Sequence, residues 1–252
     1  MRLNFLRLPS VERRLYFEEA AGRRGVSSVM LEKDFWVSWM LGVLFHSTFA
    51  DVLVLKGGTS LSKVFGVIDR FSEDLDLSLS PEFLGLSNAA LPNTPSRNQA
   101  AKWMKTAESA CADVIRAQLG PQLEQAVAEV LGEGTAPWLE FLTDPATNSP
   151  VLLFRYPTTQ PEGLEYLKRT VKLEFGSLTD QKPTGRHPVR PWIADTLGEV
   201  FDDWHCEVTA LDVQRTFWEK STILHIEYYR PAEKPMPDRF SRTSVEIGRA
   251  HV

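Results

Sequence analysis

The stretch that decides the fold is residues 55–63, LKGGTSLSK, together with residues 70–77, RFSEDLDL. Just before it, residues 51–55 form a Val/Leu run that is typical of a buried strand. The double glycine ends this strand, and residues 59–65 have helical spacing. Residues 74–79 alternate between polar and apolar side chains, which indicates a second strand. The sequence therefore predicts strand, glycine turn, helix and strand in that order.

The glycine turn is a candidate nucleotide-binding element. Gly57 and Gly58 let the backbone approach a phosphate closely, and the helix that follows directs free N–H groups towards it. Thr59 and Ser60 add hydroxyl donors, and Lys63 adds a positive charge. A double glycine alone is more often only a turn, so this interpretation depends on the acidic strand that follows.

Asp74 and Asp76 are the first candidate metal ligands. They are two residues apart on a strand, so both project from one face, while Leu75 and Leu77 project from the other. Two carboxylates ~4 Å apart repel each other by roughly 4 kcal/mol at an effective dielectric near 20. Magnesium relieves such repulsion and binds carboxylates together with phosphate oxygens. A merely solvated acidic strand face is the alternative interpretation.

A third carboxylate is available in residues 170–175, TVKLEF, which alternate so that Lys172 and Glu174 share a face. If this strand neighbours the strand of Asp76, Glu174 completes a three-carboxylate site and Lys172 is placed to bind the nucleotide. Two magnesium ions in such a site activate an attacking hydroxyl and stabilise the leaving pyrophosphate. A surface ion pair between Lys172 and Glu174 is the alternative.

Composition narrows the function classes. The chain has 252 residues and a net charge of −5, which argues against a protein that coats nucleic acid and leaves room only for local RNA contacts. Cys111 and Cys206 have no zinc-binding spacing. The N-terminus lacks the apolar run of a signal peptide, and no apolar stretch is long enough to span a bilayer. We expect a cytoplasmic protein without membrane contact.

The remaining pattern is mainly helical at both ends. A capping box from Ser27 or Ser28 to Glu32 starts a helix that runs to about residue 46, with residues 32–34 as its solvated start. A helical region at 99–131 is expected to break near Gly120. Residues 179–192 are rich in proline and predict a long loop. The other predicted elements are helices at 10–24 and 213–229 and strands at 138–142, 151–156, 169–175 and 207–210.

Four blocks together resemble the AbiEii/AbiGii toxin family, which comprises nucleotidyltransferases of type IV toxin–antitoxin and phage-abortive systems. They are EKDFW at 32–36, KGGTSLSK at 56–63, RFSEDLDL at 70–77 and TFWEK at 216–220. The resemblance covers residues 28–242. It implies a triphosphate held by the glycine turn, magnesium on the three acids, and a late-helix lysine that contacts phosphate or helps to transfer a proton. The residues concerned are Gly57, Gly58, Thr59, Ser60, Asp74, Asp76, Glu174 and Lys220.

The resemblance also implies a fold. We expect an α/β (α+β) nucleotidyltransferase fold with a short mixed β-sheet flanked by helices and a mostly helical C-terminal part. The expected division is an N-terminal helical segment at 1–48, a core at 49–210 with a helical insertion at about 99–131, and a C-terminal helical part at 211–242. The last residues, IGRAHV, match what a common sequencing adapter encodes. We therefore expect 243–252 to be a non-native tail and the natural protein to continue past about residue 242.

The expected reaction transfers a nucleoside monophosphate from a nucleoside triphosphate to an acceptor hydroxyl. RNA, and the 3′ end of tRNA within it, is the leading acceptor, with magnesium as cofactor. The expected partner is a cognate antitoxin encoded nearby, which acts without direct contact. Two alternatives remain open: transfer to a small molecule or a protein side chain, and a catalytically silent nucleotide-binding module.

Overall fold

The computed structural model describes residues 3–68, 71–86, 96–145, 147–160, 168–178, 180–201 and 204–231. The suspected tail at 243–252 lies outside these residues. The domain boundaries expected at 48, 210 and 242 stay predictions.

A seven-stranded mixed sheet forms the centre of the fold. Its strands are β1 (Leu53–Lys56), β2 (Asp74–Leu79), β3 (Leu139–Thr143), β4 (Pro150–Phe154), β5 (Val171–Gly176), β6 (Thr184–Val189) and β7 (Cys206–Leu211). They lie in the order β3-β4-β5-β2-β1-β7-β6. The β2–β5 and β1–β7 pairs are parallel, and the other pairs are antiparallel. This confirms the predicted α/β class, with acids on the central strand.

Helices precede, interrupt and follow the sheet. They are α1 (Leu3–Arg7), α2 (Ser10–Arg24), α3 (Ser28–Phe45), α4 (Gly57–Thr59), α5 (Arg97–Val114), α6 (Gly120–Leu131), α7 (Trp192–Thr196), α8 (Gly198–Phe201) and α9 (Val213–Tyr228). Because α4 continues into a π-helical segment, Ser60–Val64, the glycine turn leads into eight helical residues. The predicted helices at 10–24 and 213–229 are confirmed.

Helix α3 is the core helix of the molecule. It packs against α2 and β7, and Phe35, Trp36 and Trp39 on it are fully buried. Its residues 35–45 are apolar on every side apart from Ser38, as expected for a helical stretch that other elements cover. Its N-cap is Ser27, whose side chain accepts a hydrogen bond from the backbone N–H of Met30.

The capping box predicted for Glu32 is wrong, and so is the prediction that residues 32–34 are solvated. Glu32 accepts hydrogen bonds from Thr158 Oγ1 at 2.8 Å and from the backbone N–H of Thr159 at 2.7 Å. Glu32, Lys33 and Asp34 are all buried. Glu32 therefore bonds to residues more than a hundred positions away in sequence and does not cap the start of its own helix.

The long loop predicted at 179–192 is also wrong. It contains β6, which pairs with β7 at the end of the sheet, and α7 begins at Trp192. Pro188 lies within β6 opposite Glu207. An edge strand tolerates a proline because one of its two sides needs no ladder hydrogen bond. The proline-rich composition of residues 179–192 predicted a loop at a place where the structure has a strand.

The helical region at 99–131 is continuous, so the predicted break near Gly120 is wrong. A π-helical segment, Ile115–Leu119, connects α5 to α6, and the N–H of Gly120 bonds to the carbonyl of Ile115. The next residue is Pro121, which has no N–H and crowds the carbonyl four residues earlier. The change of hydrogen-bond pattern just before the proline keeps the helix unbroken.

Candidate active site

Strands β2 and β5 bring the predicted acids into one layer. They pair in parallel, with Asp74 opposite Lys172 and Asp76 opposite Glu174. Paired residues of neighbouring strands project from the same face of a sheet. The site prediction required the strand of Glu174 to neighbour the strand of Asp76. The two strands are neighbours, and Asp76 and Glu174 lie side by side on them.

The opposite face of these strands is apolar. Leu75 and Leu77 of β2 and Leu173 and Phe175 of β5 are buried in the core. Asp74 and Asp76 retain partial exposure, as the alternating burial of β2 shows. The leucines thus fix the strand in the one phase that directs both carboxylates away from the core.

The glycine turn is in direct contact with the acidic strand. Gly57 has φ +72°, a conformation that side chains other than glycine rarely adopt. A Cβ atom placed on Gly57 would lie 2.0 Å from Asp76 Oδ2. Only glycine leaves room for that carboxylate, so Gly57 and Asp76 form one structural unit.

The hydroxyls predicted to bind phosphate make hydrogen bonds inside the protein. Thr59 Oγ1 donates to the backbone carbonyl of Asp74 and lies 2.9 Å from Ser72 Oγ, and Ser60 Oγ donates to the carbonyl of Gly57 at 2.9 Å. Both residues are buried. The Thr59 side chain therefore holds the turn against the start of β2, and the Ser60 side chain bonds within the turn. The backbone N–H groups of the turn are the candidate phosphate donors.

The acids perturb one another. Burial, followed by the charges of Glu174 and Asp74, raises the pKa of Asp76 to about 6, while Lys220 and Lys56 act in the opposite direction. Burial raises the pKa of Asp74 as well, with Glu73 and Glu174 adding to the effect. Carboxylates that repel each other in a partly buried site are typical of functional sites.

The positive charges of two lysines act to lower the pKa of Asp76. One is Lys220 of α9, whose predicted role at the site stays a prediction. Lys56 lies at the end of β1 directly opposite Asp76. Lys56 belongs to the KGGTSLSK block but is not among the site residues predicted from the sequence. The signal was available, since antiparallel pairing across the glycine turn brings the end of β1 beside the start of β2.

Lys172 is engaged with carboxylates. Its Nζ forms an ion pair with Glu174 and another, at 2.9 Å, with Asp144. Although burial opposes its charge, these hydrogen bonds raise the pKa of Lys172. The ion pair between Lys172 and Glu174, which was the alternative interpretation of Glu174, is therefore present. A contact between Lys172 and a nucleotide stays a prediction.

The donor set suits a hard divalent cation. Asp74 and Asp76 offer carboxylate oxygens from one strand face, with Glu174 one strand away, and magnesium prefers such oxygens. In the described residues, no group of three or more His, Cys, Asp or Glu side chains is arranged as a set of metal ligands. Glu174 is instead paired with Lys172 of its own strand, so the three-carboxylate metal site stays a prediction.

Lys63 lies apart from the acids. Its Nζ forms an ion pair with Asp34 Oδ1 at 2.6 Å and donates to the carbonyl of Arg190 at 3.2 Å. The side chain is 5% exposed. This placement does not support the predicted phosphate contact. Asp34 also accepts a hydrogen bond from the backbone N–H of Trp192 at 2.7 Å.

Sequence reasoning missed the buried charges at the start of α3. Lys33 Nζ lies 2.7 Å from Glu73 Oε2, and Glu73 directly precedes Asp74. One signal could have revealed them. Residues 35–45 are apolar on every side apart from Ser38, so the turn directly before them has little access to solvent, and charges there need buried partners.

The site thus combines a glycine turn packed against a strand with two acids and a further acid on a neighbouring parallel strand. The family model described as "Nucleotidyl transferase AbiEii toxin, Type IV TA system" matches residues 39–239. The chain belongs to this family of nucleotidyl transferase toxins. No curated protein matches the sequence. Among the described helices, none is long and apolar enough to cross a membrane.

Proposed function

We propose that the protein transfers a nucleoside monophosphate from a nucleoside triphosphate to an acceptor hydroxyl of RNA, with the 3′ end of tRNA as the specific acceptor. The contact between Gly57 and Asp76 is the observation that carries this proposal. It places backbone N–H groups, which bind phosphate, beside a carboxylate suited to magnesium. A triphosphate that lies between the two satisfies both.

The triphosphate and the acceptor hydroxyl bind on different sides of β2 in this proposal. Gly57 follows β1 on one side of β2, and Glu174 lies on β5 on the other side. The triphosphate occupies the Gly57 side, so the acceptor hydroxyl approaches from the Glu174 side and gives its proton to that carboxylate. The acceptor oxygen bonds to the α-phosphorus, and the bond from this phosphorus to the bridging oxygen breaks. Pyrophosphate leaves with that electron pair.

Charge stabilisation comes from cations around the transferred group. Lys220, whose charge already acts on Asp76, stabilises negative charge that develops on the phosphates. Asp74, Asp76 and Glu174 are the residues that would hold magnesium, and bound magnesium supplies the same stabilisation to the triphosphate and to pyrophosphate. The raised pKa of Asp76 supports this, since it comes from burial first and from the neighbouring acids second, and a bound cation would offset both.

Membership of a type IV toxin–antitoxin family supports RNA as the acceptor and an antitoxin as a partner. The net charge of −5 restricts RNA contacts to local groups near the site. We propose that the antitoxin is encoded near the toxin gene and acts without binding the toxin. The compartment that supplies both tRNA and nucleoside triphosphates is the cytoplasm, where we propose that the protein works.

The test uses four nucleoside triphosphates, each labelled at the α-phosphate, with magnesium and total cellular RNA. We expect label from one or more triphosphates to enter material that RNase destroys and that migrates with tRNA. Label that survives RNase would move the acceptor to a protein or a small molecule. Binding of triphosphate without transfer to any acceptor would favour the silent nucleotide-binding module.

A further inference from the structure

Helix α3 places two oppositely charged side chains, Lys33 and Asp34, in the interior next to each other in sequence. Lys33 is paired with Glu73 at 2.7 Å, and Asp34 is paired with Lys63 at 2.6 Å. The side chains of Lys33 and Asp34 are only 2% and 1% exposed. Buried ion pairs stabilise a fold little or not at all compared with apolar residues of the same size. Fold stability alone therefore does not account for these charges.

The partners of the two residues lie in the two halves of the site. Glu73 directly precedes Asp74, so Lys33 reaches the start of the acidic strand. Lys63 lies in the helical segment Ser60–Val64 behind the Gly57 turn, so Asp34 reaches the other half. Through consecutive side chains, α3 thus contacts the residue that precedes Asp74 and the helical segment that follows the glycine turn.

We propose that Lys33 and Asp34 are positioning residues, which fix the acidic strand and the glycine turn relative to each other for the transfer reaction. The proposal rests on the function proposed above. Lys33 acts through Glu73 on the strand that bears Asp74. Asp34 acts through Lys63 on the segment that follows Gly57, and it is braced by the N–H of Trp192.

Glu32 provides a matched control within the same turn of α3. It is buried like its neighbours, but its carboxylate accepts hydrogen bonds from Thr158 and Thr159, in a segment between β4 and β5. Replacing Glu32 by Gln therefore disturbs a buried charge of the same helix without disturbing the bonds to Glu73 or Lys63. A merely structural role predicts the same consequences for all three positions.

Hydrogen exchange of the ligand-free chain tests the spatial part of the proposal. We expect Lys33→Met to speed exchange chiefly in 72–76, Asp34→Asn chiefly in 57–64, and Glu32→Gln chiefly in 156–160. This readout needs no activity, so it remains informative if the chain transfers no nucleotide. A uniform increase along the chain in all three variants would overturn the proposal.

Kinetics test the functional part. The double variant Lys33→Met/Glu73→Gln removes both charges, which restores stability because no buried charge is left unpaired. We expect its kcat to stay at least ~10-fold below the unsubstituted chain, since small misplacements of reacting groups are costly. Asp34→Asn should chiefly raise KM for the triphosphate, and Glu32→Gln should change neither constant. Full kcat in the folded double variant would show that the pair is only structural.

Discussion

The backbone of Gly57 and the carboxylate of Asp76 occupy adjoining space, so that a Cβ atom on residue 57 would come within 2.0 Å of Asp76 Oδ2. The left-handed φ of Gly57, +72°, is the second reason why glycine is required at this position. The two requirements coincide at the point where the glycine turn and the acidic strand meet. The absence of a side chain at residue 57 thus leaves room for the carboxylate of Asp76.

Gly57→Ala should therefore displace Asp76. We expect a loss of about 1–3 kcal/mol in the free energy of unfolding, from backbone strain and the clash together. We expect nucleotide transfer to fall by about 100-fold, because the carboxylate leaves its place beside the turn. Urea unfolding and a labelled-triphosphate assay measure the two effects.

Gly25→Ala is the matched control for Gly57→Ala. Gly25 also has a positive φ, +73°, but a Cβ atom there meets nothing within 4 Å. This variant should lose about 1 kcal/mol from strain alone and keep full transfer activity. Equal losses of activity in the two variants would show that the contact with Asp76 is unimportant.

Asp76→Asn should change how stability depends on pH. The pKa of Asp76 is raised from 3.8 to about 6 in the folded chain, so the folded state holds this proton more tightly than the unfolded state. That contribution is complete below about pH 4 and is lost as pH rises through 6. At pH 8 the ionised carboxylate therefore destabilises the fold by about 1–3 kcal/mol, which Asp76→Asn relieves.

Urea unfolding in the presence of a chelator, at a series of pH values, measures this effect. The unsubstituted chain should lose stability between pH 4 and pH 7 relative to Asp76→Asn, and the two should converge at low pH. Asp51→Asn, at an exposed position, is the control for the loss of one surface charge. Parallel curves for the unsubstituted chain and Asp76→Asn would contradict the account.

Magnesium should stabilise the protein because a bound cation offsets the negative charges of Asp76 and its neighbouring acids. At a magnesium concentration ten times its Kd, the midpoint of thermal unfolding should rise by about 3–6 °C. The rise should be absent in Asp76→Asn and reduced in Glu174→Gln. Differential scanning calorimetry with and without magnesium measures it. An equal rise in all three proteins would place the cation elsewhere on the molecule.

Lys220→Ala should reduce transfer without unfolding the chain. The lysine lies on α9 and its charge acts on Asp76, so its removal takes positive charge from the place where phosphate charge develops. We expect kcat/KM to fall by about 100-fold, in line with the loss of one electrostatic group. Gln214→Ala, exposed on the first turn of the same helix, is the control. Equal kcat/KM in Lys220→Ala and the unsubstituted chain would remove Lys220 from the site.

The sequence predicted the acidic layer well because its information is local. Alternation of Asp74 and Asp76 with Leu75 and Leu77 specifies which face each side chain occupies, whatever the rest of the chain does. The same alternation in the strand of Glu174 predicted its face. The sequence did not show which strands pair with each other. The structure shows that the two strands are neighbours, with Asp76 opposite Glu174.

The errors arose where distant partners override local pattern. Lys33 and Asp34 resemble a solvated helix start, but their partners lie about thirty to forty residues away in sequence. Thr59 resembles a phosphate donor, yet its hydroxyl bonds to the carbonyl of Asp74. Strand β6 resembles a loop because its proline and glycine are tolerated only at a sheet edge. None of these partners can be identified from a window of local sequence.

The most direct test of the site is a crystal structure of the protein with a non-hydrolysable nucleoside triphosphate and manganese, whose anomalous scattering locates the cation. The account predicts an anomalous peak about 2.0–2.3 Å from carboxylate oxygens of Asp74 and Asp76, as expected for a hard divalent cation. It also predicts triphosphate oxygens against the backbone N–H groups of the Gly57 turn. A peak away from Asp76, or a triphosphate bound elsewhere, would contradict the central claim.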